Sequence, residues 1–78
     1  MKIWAGLQEI KGAVQYETAK NIYITYTAIY NGQQYGYINV FDKRRGDLIF
    51  KATRRRQKTH DELKEFAERY EKKPAIKR

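Results

Sequence analysis

The residues with the most chemistry to offer are cations. Lys43, Arg44 and Arg45 form one cluster, Arg54, Arg55, Arg56 and Lys58 form another, and Lys51 stands between them. A guanidinium presents a planar fork that meets two phosphate oxygens at once, so arginines in runs point to phosphate recognition. Other chemistries are hard to assemble. The chain has no cysteine and a single histidine, His60. That removes thiolate metal sites and the usual nucleophile–base pairs. No G-x-S-x-G, P-loop, H-E-x-x-H or C-x-x-C pattern occurs. Asp42 and Asp47 flank a turn rich in Lys and Arg and read as turn formers, not as a catalytic carboxylate pair. His60 reads as an exposed residue of a first helical turn, with a phosphate contact as the alternative. The expectation is a non-enzymatic binding protein with no metal and no cofactor.

Charge balance points the same way. Lys and Arg total 17 against nine Asp and Glu, a formal net charge of +8 on 78 residues. A surface evolved only for solubility mixes both signs, so this excess favours a polyanionic partner. No apolar run approaches the ~18 residues of a membrane span, and the first residues lack the apolar core of a signal peptide. The expected setting is the cytoplasm, or the nucleus in a eukaryote, with no membrane partner.

The elements that carry these cations can be read from turn chemistry and periodicity. Residues 21–42 hold two β-rich runs flanking Asn31-Gly32, the strongest short-range hairpin signal. A two-residue type I′ turn sets Tyr30 opposite Gln33, Ala28 opposite Tyr35, Tyr26 opposite Tyr37, Ile24 opposite Asn39 and Ile22 opposite Phe41, all on one face. Tyr23, Thr25, Thr27, Ile29, Gln34, Gly36, Ile38 and Val40 take the other face. A second turn, Asp42 to Asp47 with Gly46 at φ > 0, leads into a third strand from Leu48 to about Arg54. A four-residue loop puts Leu48, Phe50 and Ala52 with Phe41 and Tyr37, and Ile49, Lys51, Thr53 and Arg55 on the threonine face. One residue more or less would swap them.

Thr59 and Glu62 form a capping box ahead of a helix whose Leu63, Phe66, Ala67 and Tyr70 make one apolar stripe. Pro74 marks its stop, and residues 73–78 read as a basic tail. Before residue 21, Ile3, Ala5 and Leu7 alternate as a strand does. Lys11-Gly12 can turn into a second strand at Ala13 to Glu17, with a helix over 13–20 as the rival. The expected fold is α+β: an antiparallel β-meander of three to five strands with one C-terminal helix packed on one sheet face. Residues 1–72 form a single small domain. The helix stripe is expected on the face of Tyr26, Tyr37, Phe41, Leu48 and Phe50.

A strand of about seven residues separates the two basic clusters by roughly 20 Å. With Lys51 between them they form a stripe along which Lys43, Arg44, Arg45, Lys51, Arg54, Arg55, Arg56 and Lys58 are the expected phosphate contacts. Tyr23, Ile38, Val40 and Ile49 are the expected stacking or interface residues. The β-β-β-α order, with a basic third strand running into KTHDELKEFAERY, resembles the arm-site DNA-binding domains of phage-type tyrosine integrases, over Asn21 to Lys72. That resemblance implies DNA contact by a sheet set in the major groove, through Lys51 and Arg54 to Arg56. A four-strand-then-helix order is similar to the dimeric single-strand-binding domains of transcription coactivators. The first expected function is a small nucleic-acid-binding protein, with DNA favoured over RNA, encoded by a phage or mobile element. The alternative is a phage-type accessory protein that inhibits a host defence complex, in the manner of an anti-CRISPR, through the Ile38, Val40, Ile49 patch. That patch would otherwise serve a homodimer seam.

Overall fold

The computed structural model describes residues 10–72. The strand expected at Ile3 to Leu7 and the basic tail at 73–78 lie outside the described residues. Four strands form one antiparallel meander in the order β1 (Val14–Glu17), β2 (Asn21–Tyr30), β3 (Gln33–Asp42) and β4 (Leu48–Arg54). One helix, α1 (His60–Lys72), follows and packs on one face. The fold is the expected α+β meander with a C-terminal helix.

The hairpin forms as its turn dictates. Asn31 and Gly32 have φ of 52° and 77°, the double positive φ of a type I′ turn. Every expected cross-strand pair from Tyr30–Gln33 to Ile22–Phe41 is present. Gly12, at φ 82°, closes a turn in which the Ala13 N–H donates to the Ile10 carbonyl at 3.0 Å. That turn delivers a strand at Val14–Glu17 rather than the rival helix.

Two expectations fail together. Helix α1 does not lie on the Tyr26, Tyr37, Phe41 face. Its Leu63 and Ala67 are buried with Tyr23, Ile38 and Val40, and Phe66 and Tyr70 pack beside them. Phe50 belongs to this helix face, because it pairs with Val40 and Ala52 pairs with Ile38. Lys51 and Thr53, opposite Asn39 and Tyr37, lie on the other face. The change on β4 comes from a bulge. Phe41 pairs with Leu48 and Val40 with Phe50, so Ile49 is the extra residue that reverses the alternation of β4.

The choice of helix face has its own cause at Gly36. Beyond Arg54 the chain crosses from edge strand β4 towards β1, where the helix begins. It crosses at Gly36, the partner of Arg54 on the helix side. A Cβ there would overlap the backbone of Arg56 and Gln57. On the opposite face the neighbouring positions, Tyr35 and Tyr37, carry large side chains. Gln57 then fastens the crossing: its Oε1 accepts from Thr27 Oγ1 at 2.9 Å, and its Nε2 donates to the carbonyls of Gly12 at 2.6 Å and Thr25 at 3.4 Å. The Lys58 N–H donates to Thr25 Oγ1 at 3.2 Å.

The far end of the helix is anchored as well. Glu71 Oε2 accepts from Thr18 Oγ1 and from Tyr23 Oη, each at 2.5 Å, and Asn21 Nδ2 donates to Tyr23 Oη at 3.1 Å. Burial pushes the Tyr23 phenol well above its ordinary pKa, and the Glu71 carboxylate adds to this. The phenol stays protonated and donating.

Gly36→Ala puts a methyl group into the backbone of the crossing segment. We expect a loss of at least about 2 kcal/mol, in the upper range for overpacking. Urea unfolding followed by circular dichroism measures it. An unchanged midpoint would show that the crossing is not seated on Gly36.

Candidate nucleic-acid interface

The cations separate into those already engaged and those still open. Lys43 is engaged. Its ammonium pairs with Glu17 and also donates to the Thr18 carbonyl at 3.2 Å, while its backbone N–H donates to the Lys20 carbonyl at 3.0 Å. It staples the β3–β4 loop to the β1–β2 turn. Arg56 is also engaged. Its two guanidinium nitrogens donate to Glu62 at 3.1 and 2.8 Å, the bidentate geometry of an arginine–carboxylate pair. Glu62 completes the expected capping box. Its Oε1 accepts from the Thr59 N–H at 2.9 Å, and its own N–H donates to Thr59 Oγ1 at 3.2 Å.

The other cations of the two clusters have weaker ties or none. Arg45 meets Asp47 only at 3.9 Å, with both side chains exposed. Such a pair is worth little in water. Arg44, Lys51, Arg54, Arg55 and Lys58 hold no ion pair among the described residues. Arg54 donates to the carbonyl of its neighbour Thr53 at 3.0 Å, and its guanidinium carries no compensating acid.

These open cations follow the edge of the sheet. Strand β4 is an edge strand of seven residues, so Arg44 and Arg45 at its start stand roughly 20 Å from Arg54 and Arg55 at its end. Lys51 lies between them and is exposed. The start of the strand is shaped by Asp42, whose Oδ1 accepts from the Arg44 N–H at 3.1 Å, and by Gly46, whose N–H donates to the Asp42 carbonyl at 2.6 Å. The Asp42 side chain therefore serves loop geometry, and the Asp47 carbonyl accepts from the Asp42 N–H at 2.8 Å. A shallow depression beside it is lined by Lys20, Asp42, Arg44 and Ile49, among others. His60 is exposed and its ring meets Tyr16 edge-on at 5.9 Å.

The expected stacking and interface residues fare differently. Tyr23, Ile38 and Val40 are buried in the core beneath the helix and present no surface. Ile49 alone is open, at 46% exposure, because the bulge turns it out of the alternation. The reason is the helix face already described: the residues read as a free surface are the ones that α1 covers.

The sequence reading overlooked the aromatic surface on the opposite side. Tyr26, Ala28 and Tyr30 on β2 share a face with Gln33, Tyr35 and Tyr37 on β3 and with Thr53 and Lys51 on β4. Tyr26 and Tyr37 stack with ring centroids 5.3 Å apart and planes 15° apart. The signal was in the hairpin register, which placed these tyrosines together. It was read as core because the helix was assigned to the same side. Further down this face Ile22, Ile24 and Phe41 are buried, and Asn39, paired with Lys51, is buried with no partner for its Oδ1. Among the described residues no helix is long and apolar enough to cross a membrane, and no group of three or more His, Asp or Glu side chains converges as a metal site would require.

The Arg56–Glu62 pair yields a pH test. Its hydrogen bonds to Arg56, then that to the Thr59 N–H, hold the Glu62 carboxyl down at about 2. A depressed carboxylate contributes stability above its unfolded pKa, and the contribution is lost as pH falls towards the folded value. Glu62→Gln should therefore lower the Tm at neutral pH, and the gap to the parent protein should shrink between about pH 5 and pH 3. A gap that stays constant across that range would mean the carboxylate charge contributes nothing. Comparison with protein-family models, with curated proteins and with solved structures gave no match to this chain.

Proposed function

We propose that this protein is a small, non-catalytic nucleic-acid-binding module that grips phosphates along the open edge of its sheet. The observation that supports it is the set of uncompensated cations along β4: Arg44, Lys51, Arg54 and Arg55 hold no acid partner among the described residues, and the whole chain carries +8. The 20 Å between the ends of the row spans about six steps of a nucleic-acid strand at 3.4 Å per charge. Arg56 and Lys43 play a different part. They tie the connector and the loop in place, and so fix where the open cations stand. Binding of this kind releases counterions and weakens steeply with salt.

Protein binding is the rival, and it has one observation in its favour. Leu48 and Ile49, 43% and 46% exposed, form an apolar spot at the start of the edge strand. Two residues are a small patch, and singly exposed apolar side chains are ordinary.

Titration of fluorescein-labelled oligonucleotides at several salt concentrations tests the proposal. With about five phosphate contacts, log Kd should rise with log salt with a slope of roughly 3 to 5. Alanine at Lys51, Arg54 or Arg55 should each reduce that slope by about one. Binding that does not change between about 50 and 200 mM salt would sink the proposal. A stoichiometric protein partner retained after nuclease treatment would favour the rival.

A further inference from the structure

The seven tyrosines are divided between the two faces of the sheet. Tyr16, Tyr23 and Tyr70 belong to the core under the helix. Tyr26, Tyr30, Tyr35 and Tyr37 lie together on the opposite face. Tyr30 and Tyr35 sit on the half of the hairpin that runs beyond its neighbours, and the Tyr26–Tyr37 pair stands at its base, with Tyr37 beside Thr53 of β4. Among the described residues β1 pairs only with residues 22–25 of β2, and β4 only with residues 36–41 of β3. The distal hairpin is thus a two-stranded ribbon with a tyrosine-rich side. Tyr30 near its tip is 64% exposed, and Tyr26, Tyr35 and Tyr37 are half-buried.

The hairpin that carries these rings is itself uncharged. Residues 21–41 contain no charged side chain at all. On the same face Lys51 is set across Asn39 on β4, while Arg54 ends that strand on the helix side, opposite Gly36, and Arg55 follows it. Adjacent strands are about 4.8 Å apart, so a backbone lying along β4 stands about two strand spacings from the Tyr26 side of the stacked pair. A nucleotide with its phosphate on β4 would lean its base over Thr53 and onto Tyr37.

Resting on the reading of this protein as a nucleic-acid binder, we infer that its ligand is a single strand whose bases stack on Tyr26, Tyr30, Tyr35 and Tyr37 while Lys51 on that face, with Arg54 and Arg55 at the end of the edge strand, holds the phosphates. A cationic edge alone would serve a duplex equally well. A cluster of phenol rings, half-buried at Tyr26, Tyr35 and Tyr37 and exposed at Tyr30, would not, because a duplex keeps its base faces inside its own stack. Ring platforms beside a positive groove are useful to unpaired bases, and such stacking tolerates any sequence because every base has a π-face. Uncharged Tyr and Thr along the base path also remove repulsive groups from the surface that a polyanion must approach. The stacked Tyr26–Tyr37 pair starts a column that a base can extend.

The test uses the full chain, a labelled twelve-nucleotide oligothymidine, a mixed-sequence single strand and the matching duplex, in fluorescence anisotropy at fixed salt. Both single strands should bind more tightly than the duplex. Tyr37→Ala and Tyr30→Ala should each weaken single-strand binding at least about fivefold, the low end of the effect of losing one stacking ring, and leave duplex binding unchanged. Tyr37→Phe should retain it, since the ring is kept. Tyr30 is exposed, so its variant keeps the test sound if Tyr37→Ala proves unstable. Lys51→Ala should weaken single strand and duplex alike. A duplex that binds as tightly as the single strand, or tyrosine variants that bind the single strand normally, would overturn the inference and leave the phosphate-binding proposal standing. Failure of every oligonucleotide to bind would overturn both.

Discussion

The passage of the polypeptide across Gly36 is the constraint on which the rest of the structure depends. The meander ends on its outer edge, at Arg54, while the helix must begin above β1. The intervening residues have to traverse the sheet, and a chain laid on a sheet needs a position without a side chain. Gly36 supplies it on one face only. The face that the connector crosses is the face that the helix then covers. That single choice buries Tyr23, Ile38 and Val40 and leaves the stacked Tyr26 and Tyr37 on the other side of the sheet.

Hydrogen bonds turn this steric opportunity into a defined path. Gln57 reaches three different partners from mid-crossing, and Thr25 takes the Lys58 N–H. A polar side chain fully satisfied in this way rigidifies what it joins. Arg56 closes onto Glu62, which is itself occupied with the helix cap. One arginine of the basic run is therefore consumed in neutralising an acid at a helix N-terminus, where added positive charge would otherwise oppose the helix dipole. At the opposite end Glu71 receives Thr18 and Tyr23, so the helix is held at both termini as well as along its stripe. A thin core, roughly 60% of the unfolded surface for a domain of this size, gains from such ties.

The same bookkeeping sorts the surface. Cations tied to Glu17 and Glu62 are structural, and those along β4 hold no ion pair among the described residues. The basic clusters looked equivalent as sequence because a formal charge count does not register which acids stand nearby in space. The tyrosines divide in a comparable way. Three give their rings to the core and four face away from the helix. Hairpin register was legible in Asn31-Gly32, because a type I′ turn leaves no freedom in pairing. The capping box and the helix stripe were legible for a similar reason: each is a local rule with a fixed spacing. Strand β4 was not, because one bulged residue at Ile49 reverses every assignment that follows.

By itself the sequence determined the local grammar of this protein: a tight hairpin, a basic second turn and third strand, a capped amphipathic helix, and a net charge of +8. Those features are local or additive, so neighbours in the chain suffice to specify them. The side of the sheet on which the helix lies was decided only by tertiary structure. Both faces of the hairpin are rich in apolar and aromatic residues, and their hydrophobicity alone does not separate them. The deciding quantity was room for a crossing backbone, and that depends on which residue lies beside Arg54 once three strands have been brought together. With it were decided the burial of Tyr23 and the pairing of Arg56 with Glu62, while the bulge at Ile49 set Lys51 on the tyrosine face instead of the threonine face.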